Sequence, residues 1–275
     1  MTAADTNFAG SIPEIYDRFL VPLIFEPYAR DLADRIARTE SQNLLEIAAG
    51  TGVLTRALAA KLAPTARIVS TDLNQPMLDY AAARLQQDRV TWRQADALAL
   101  PFENHSFDVV TCQFGVMFFP DKVKGFSEAR RVLKPRGYLM FNVWDRISDN
   151  EFADVVTEAL ASLFPQNPPL FMARIPHGYH DVEKIREDLT AAGFSDISIE
   201  TIDHVSRAAT PDDAAIAYCQ GTPLRNEIEA RAPLRLEEAT QAATDALARR
   251  FGNSLIYGRI RAHVISAIPS ASQAW

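Results

Sequence analysis

Short continuous apolar runs alternate along most of this chain with stretches in which apolar residues return at helical spacing. That alternation is expected of strands buried on both faces between helices. The runs fall at 43–48, 67–73, 90–95, 107–114 and 138–144. After the first, Val53 to Leu62 places Leu54, Ala57, Leu58 and Leu62 on one helical face, and Pro64 ends it. After the second, Met77 to Leu85 does the same with Met77, Leu78, Ala81 and Leu85. Val123, Phe126, Ala129 and Leu133 mark a further helix that stops at Pro135-Arg136-Gly137. Strand and helix alternate throughout, which predicts a doubly wound α/β sheet.

The flanks follow other rhythms. Residues 11–38 predict two helical pieces broken near Pro22 and Pro27, with Ile12, Ile15, Tyr16 and Phe19 on one and Tyr28, Leu32 and Ile36 on the other. After Asp145, Glu151 to Phe164 predicts a helix and 165–179 an irregular, proline-rich loop. Asp181 caps a helix through Ala192 that ends at Gly193, and 196–208 alternates as a strand. Residues 212–250 are helical, punctuated by Gly221, Pro223 and Pro233. Arg259 to Ala267 sets Ile260, Ala262 and Val264 against Arg261, His263 and Ile265. This predicts a last strand, antiparallel at or near the sheet edge, with a helix as the competing reading.

Composition narrows the class. Hydrophobic content of 48% with 23% charged residues is that of an ordinary globular protein. A net charge of −7 and the lack of a Lys/Arg cluster argue against a nucleic-acid partner. Cys112 and Cys219 supply neither a disulfide framework nor a metal-ligand set, so no metal is expected. The first ten residues do not resemble a signal peptide, and the apolar run Phe19 to Phe25 is too short to span a bilayer. The expectation is a cytoplasmic protein without a transmembrane segment.

The chemistry gathers at Leu44-Leu45-Glu46-Ile47-Ala48-Ala49-Gly50-Thr51-Gly52-Val53-Leu54-Thr55, a buried strand, a small-residue turn and a helix start. Such a turn receives a nucleotide-like ligand on its amides. Thr55 stands where a dinucleotide fingerprint needs a third small residue, and no Gly-Lys-Ser/Thr follows for a P-loop. Asp72 ends the second strand, where a carboxylate can accept from ribose hydroxyls, and Asp96 ends the third, where one can accept from an adenine amine. The Ala97 amide is placed for a ring nitrogen. Each carboxylate alone is also explained as a polar strand end or a helix cap.

With these residues on the page, the chain resembles the class I S-adenosylmethionine-dependent methyltransferases, in particular the small-molecule branch around the ubiquinone/menaquinone C-methyltransferases. The matching residues are Leu45 to Gly52, Asp72-Leu73-Asn74-Gln75-Pro76-Met77-Leu78, Asp96-Ala97 with Leu100-Pro101-Phe102, Ser106 to Val110, and Arg130 to Gly137. The match covers 40–145 in order. Ala48 stands where many relatives carry glycine, as it does in the quinone-type enzymes, and Arg136 replaces a turn glycine. The resemblance implies a Rossmann-like, seven-stranded, mostly parallel sheet with an antiparallel last strand and helical cap insertions. It implies one domain, with a helical lid at 1–38, the cofactor core at 40–145 and cap segments at 150–180 and 211–255; residues 181–209 and 259–268 complete the sheet.

The resemblance further implies S-adenosylmethionine as cofactor, leaving as S-adenosylhomocysteine. It gives Glu46 a contact to the methionine amino end and sets Ala48, Gly50 and Gly52 against the cofactor backbone. It puts Asp72 on the ribose, Leu73 and Met77 against the adenine, Asp96 and Ala97 at the adenine edge, and Gln113 and Phe114 beneath the methionine portion. Tyr16 matches a tyrosine that closes over the methionine carboxylate, although a core tyrosine with a wet hydroxyl explains it nearly as well.

A sulfonium methyl is already activated, so catalysis is expected mainly from aligning an acceptor for in-line displacement. Where the acceptor must lose a proton, His177 is the chosen base, with Tyr28, Glu26 and His180 as other candidates. Phe25, Met117, Trp144 and Phe171 are the expected acceptor contacts, in segments of aromatic character shared with Phe19, Phe118, Phe164 and Met172. The acceptor is then a small aromatic or apolar molecule; packing between cap and sheet is the competing explanation for most of these residues singly. Residues 212–250 are a candidate homodimer contact. A protein substrate, or a cofactor-binding module without catalysis, remain the alternatives.

Overall fold

The computed structural model describes residues 3–8, 10–231 and 235–270. Helices α1 (Ile12–Ile15) and α2 (Glu26–Ala37) flank a ten-residue π-helical segment, Tyr16–Phe25. There follow β1 (Asn43–Glu46), α3 (Val53–Lys61), β2 (Arg67–Asp72), α4 (Gln75–Arg84), β3 (Val90–Gln94), β4 (Phe107–Gln113), α5 (Lys122–Val132) and β5 (Leu133–Trp144). Next are α6 (Glu151–Leu163), α7 (Phe171–Arg174), α8 (Val182–Ala191) and β6 (Phe194–Ala208). Helices α9 (Pro211–Gln220), α10 (Leu224–Arg231) and α11 (Leu236–Phe251) precede β7 (Ile256–Pro269). Pro233, expected to punctuate the last helical region, lies outside the described residues.

The seven strands form one sheet in the order β3-β2-β1-β4-β5-β7-β6. The pairs β1–β2, β1–β4, β2–β3 and β4–β5 are parallel. Strand β7 runs antiparallel, so the expected last strand is a strand and the helix alternative falls. The Leu255 amide donates to Ala209 O, and Arg261 faces Asp203 across the β6–β7 pair. Because β1 sits between β2 and β4, consecutive connections leave it in opposite directions. The carboxyl ends of β1 and β4 therefore flank the switch point at which open α/β sheets bind ligands.

The chain divides into two compact units. One comprises residues 27–143, 180–202 and 263 onward. Its core joins Leu32 and Ile36 of α2, Leu44 of β1, Leu54 and Leu58 of α3, Ile68 of β2, Val109 of β4 and Val264 of β7. Helix α2 is tied to β6 by the Tyr28 hydroxyl, which donates to Ile202 O at 2.9 Å, and by the Arg35–Glu200 ion pair. The other unit comprises 1–26, 144–179 and 203–262, and contains α6, α9, α10 and α11. There Phe152 meets Phe251 edge-on, with ring centroids 5.0 Å apart.

Three local expectations are corrected. Pro22 does not break the N-terminal helix: the turns widen to π geometry, with the Glu26 amide donating five residues back to Val21 O. A wider turn relieves the clash that a proline ring makes in an α-helix. Pro27 falls in the first turn of α2, where no amide is missed. The loop at 165–179 contains the short helix α7. Strand β5 begins at Leu133, directly after α5, because residues 134–137 bulge between the Phe107↔Leu133 and Val109↔Tyr138 pairs. A side chain at Gly137 would lie 2.8 Å from Asp108 O, so only glycine fits that bulge.

Candidate functional site

The turn after β1 is built from backbone that L side chains rarely adopt. Ala48, Gly50 and Gly52 have φ of 55°, 56° and 81°. The Ala49 amide donates to Thr71 O and the Gly52 amide to Ala49 O, which folds the turn over the end of β2. The two glycines serve different ends. A side chain at Gly52 would stand 2.9 Å from the Trp92 ring and 3.1 Å from Ala81 Cβ, so glycine here lets the turn pack on β3 and α4. At Gly50 the nearest atom would be Met77 Cε at 4.0 Å, which leaves room beside the turn.

Two buried carboxylates stand at this turn. Asp72 Oδ2 accepts from the Gly50 amide at 2.9 Å, and its Oδ1 from the Asn74 amide at 2.8 Å. It thereby fastens the turn to the start of α4. Burial raises its carboxyl above the usual range, against the lowering by these amides. Glu46 is 1% exposed, and its Oε2 accepts from the hydroxyls of Thr55 and Ser70. Burial pushes it up to about 7, opposed by those two hydroxyls and reinforced by the Asp72 charge. Thr55, noticed in the sequence only because it is not glycine, closes the hydrogen bonding around Glu46.

At the end of β4, Phe114 has a φ of 51° and its amide donates to both O and Oδ1 of Asn142. Its ring meets Tyr28 edge-on at 5.3 Å. A side chain on Gly115 would overlap Ala48 Cβ and lie 2.7 Å from Cys112 Sγ. The bend after β4 therefore presses on the turn after β1, and Ala48 cannot be larger. Non-glycine residues held at positive φ concentrate where a binding surface is preorganised. Gln113 is buried beside this bend, and Met117 is buried in the following 3-10 turn, Val116–Phe118.

Leu73 is 51% exposed and Met77 3% exposed at the start of α4. Ala97 is buried, whereas Asp96 is exposed and turns its Oδ1 onto the Leu98 amide. Glu46, Ala48, Gly50, Gly52, Asp72, Leu73, Met77, Asp96, Ala97, Gln113, Phe114 and Met117 thus all lie in one unit. Sequence reasoning passed over Trp92, Asn142, Thr55 and Ser70. Asn142 carried a signal, being one amide inside the otherwise apolar run from Leu139 to Trp144.

The other expected residues meet in the second unit. Tyr16 stacks on Phe25 with centroids 5.1 Å apart, Phe25 tilts against Trp144 at 5.8 Å, and Trp144 against His177 at 6.0 Å. Phe8 meets Tyr16 edge-on at 6.1 Å. His177 is 4% exposed, and its Nδ1 lies 2.8 Å from Asp145 O. Gly178 makes this possible, since a side chain there would overlap Arg174 O as the chain turns back after α7. Phe171 is buried in α7, the helix from which Arg174 grips Asp5 at 2.6 and 3.0 Å. Among the described residues no cluster of His, Cys, Asp and Glu could hold a metal ion.

With this geometry in hand, comparison with known proteins is decisive. The family described as Methyltransferase domain (Methyltransf_11) matches residues 45–141. A demethylmenaquinone methyltransferase of Clavibacter sepedonicus is 32% identical over 172 residues, 59% of this chain and 69% of that protein. The chain belongs to the S-adenosylmethionine-dependent methyltransferases. A ubiquinone/menaquinone biosynthesis C-methyltransferase of Stutzerimonas stutzeri is 29% identical over 203 residues, 69% of this chain and 75% of that protein. In fold, the chain is similar to a phosphoethanolamine N-methyltransferase of Haemonchus contortus in complex with S-adenosyl-L-methionine. That likeness has a TM-score of 0.62 at 18% identity, and covers 98% of this chain and 60% of the other.

The methyltransferase uses S-adenosylmethionine, and the turn fits such a donor. The space beside Gly50, which a Cβ would fill, is bounded by Met77 and adjoins the Asp72 carboxylate. The Asn142 Nδ2 and Thr51 Oγ1 atoms are buried in the same unit without a hydrogen-bond partner. No helix among the described residues is long and apolar enough to cross a membrane.

Proposed function

We propose that this methyltransferase acts on a small aromatic molecule of the quinol type and delivers the methyl group to a ring carbon. The observation that carries this reading is the aromatic run from Tyr16 through Phe25 and Trp144 to His177. It lies outside residues 45–141, the stretch shared with the family domain, so it belongs to what distinguishes the acceptor. Flat apolar rings pair with aromatic side chains in offset and tilted geometries such as these. A net charge of −7 disfavours polyanionic substrates. The names of the relatives, demethylmenaquinone and ubiquinone/menaquinone methyltransferases, support a quinone-like ring and a carbon acceptor.

S-adenosylmethionine supplies, when bound, a sulfonium methyl already activated for in-line displacement. The chain's own residues hold and orient. The Gly50 turn, Asp72, Leu73, Met77, Asp96 and Ala97 take the adenosine end, with Gly52 supporting the turn from behind. Ala48, Gln113 and Phe114 border the methionine end, together with Tyr16. Glu46 acts through the turn rather than on the ligand, since its carboxylate is closed off by Thr55 and Ser70. Phe25, Trp144, Phe171 and Met117 exclude water around the acceptor ring. His177 removes the proton from a ring hydroxyl, which raises electron density at the neighbouring carbon.

The test is to supply purified protein with methyl-labelled S-adenosylmethionine and, in parallel, a reduced demethylmenaquinone analogue and phosphoethanolamine. Label on a ring carbon of the quinol, located by mass spectrometry, is the expected product. Label on the amine or on a quinol oxygen overturns the reading.

A further inference from the structure

His177 is held by a main-chain carbonyl, and that fixes which of its nitrogens can act. The Asp145 O, 2.8 Å from Nδ1, has lone pairs and no proton, so Nδ1 is the donor. In the neutral ring the basic lone pair is therefore on Nε2. The same carbonyl oxygen lies 3.3 Å from Asn150 Nδ2.

Asn150 is 2% exposed and joins three stretches of backbone. Its Nδ2 also lies 3.2 Å from Arg146 O and 3.2 Å from Arg261 O, and its Oδ1 accepts from the Arg261 amide at 3.0 Å. Turning the amide over would face its oxygen to three carbonyls and its NH2 to an N–H, so the partners set its orientation. The Asp145 amide donates to Arg261 O, which completes the tie between the end of β5 and β7. The carbonyl under His177 is thus set by Asn150.

We propose that Asn150 is a positioning residue for His177: through the Asp145 carbonyl it holds the ring as the Nδ1–H tautomer with Nε2 as the proton acceptor. This rests on the reading of His177 as the base. In the step, the acceptor O–H bond breaks, its electron pair stays on oxygen, and the proton passes to Nε2. The resulting imidazolium keeps its Nδ1–H on the Asp145 carbonyl, which favours the charged ring. The proton later returns to water. Charged and titratable groups around this corner are the carboxylates of Asp145 and Asp149, the guanidinium groups of Arg146 and Arg261, and the Tyr16 phenol. The Asp145 carboxylate accepts from the Arg146 amide at 2.7 Å, and Arg261 is paired with Asp203, so these charges are largely matched among themselves.

Three measurements on the full chain test this. In the unaltered protein, long-range proton–nitrogen NMR of labelled histidine should show His177 protonated on Nδ1 and bare on Nε2; the opposite tautomer overturns the proposal with no variant needed. Kinetically, His177→Gln should lower kcat about 100-fold or more near neutral pH and recover as pH rises toward the pKa of the acceptor hydroxyl. Asn150→Asp turns a carboxylate oxygen against the Asp145 carbonyl and should lower kcat about tenfold, with little change in KM. In the His177→Gln background the same change should cost less than about threefold, because both act on one proton transfer. A full tenfold loss in that background overturns the positioning role and leaves the base intact. A silent His177→Gln overturns both. Stabilisation of each variant by S-adenosylhomocysteine reports folding and donor binding separately from this step.

Discussion

At the residue scale, the donor turn depends on two carboxylates that do different work. Asp72 spends its oxygens on the amides of Gly50 and Asn74, while Glu46 is sealed by Thr55 and Ser70. Glu46 has a consequence for stability. Its folded carboxyl holds a proton up to about 7, against 4.5 in its ordinary state. Between those values the folded protein binds more protons than the unfolded chain, so this group's contribution is full below pH 4.5 and is lost as pH rises through 7. Urea denaturation should therefore show Glu46→Gln losing less stability than the unaltered protein between pH 5 and pH 7.5. Equal losses would place the titration elsewhere. Sequence showed that an acid stands at this position. It did not show that Thr55 and Ser70 close over it, because they reach it only when β1 and β2 pair with Glu46 opposite Ser70.

At the element scale, the decisive contact is between the bend after β4 and the turn after β1. Gly115→Ala would drive a methyl into Ala48 Cβ and Cys112 Sγ, neither of which can swing away. A loss of about 1–3 kcal/mol is expected from such overpacking, read as a lower denaturation midpoint. Adding Ala48→Gly should restore part of it, since one obstructing methyl goes and the strain of alanine at positive φ goes with it. Two strictly additive losses would show that the pair do not meet. The parallel strands and α3–α5 were legible from periodicity to within a few residues, because each buries a continuous face. The π-helical run through Pro22, the bulge at Gly137 and the helix α7 were not, because packing chose local geometries that intrinsic preference opposes.

At the scale of the whole molecule, a donor that binds only the folded state must stabilise it. S-adenosylhomocysteine at a hundredfold excess over its Kd should contribute about 2.7 kcal/mol, seen as a rise of several degrees in Tm. Asp72→Ala removes the anchor of the Gly50 turn and should weaken that ligand about tenfold or more. An unchanged titration would refute the assignment of the adenosine end to this turn. The aromatic run also belongs to this scale, since Tyr16, Phe25, Trp144 and His177 come from three distant stretches of chain and touch in one unit.

By itself, the sequence determined the alternating strands and helices, the small-residue turn, the acids at the strand ends and, with them, the methyl donor. These are local facts, written in the periodicity and spacing of neighbours. Only the tertiary structure decided that Gly52 serves packing while Gly50 leaves space, that Glu46 is enclosed, and that His177 rests on the carbonyl Asn150 holds. Each of these depends on contacts between residues far apart in the chain. Hydrophobic period records which face is buried, and it carries no record of which buried groups will meet.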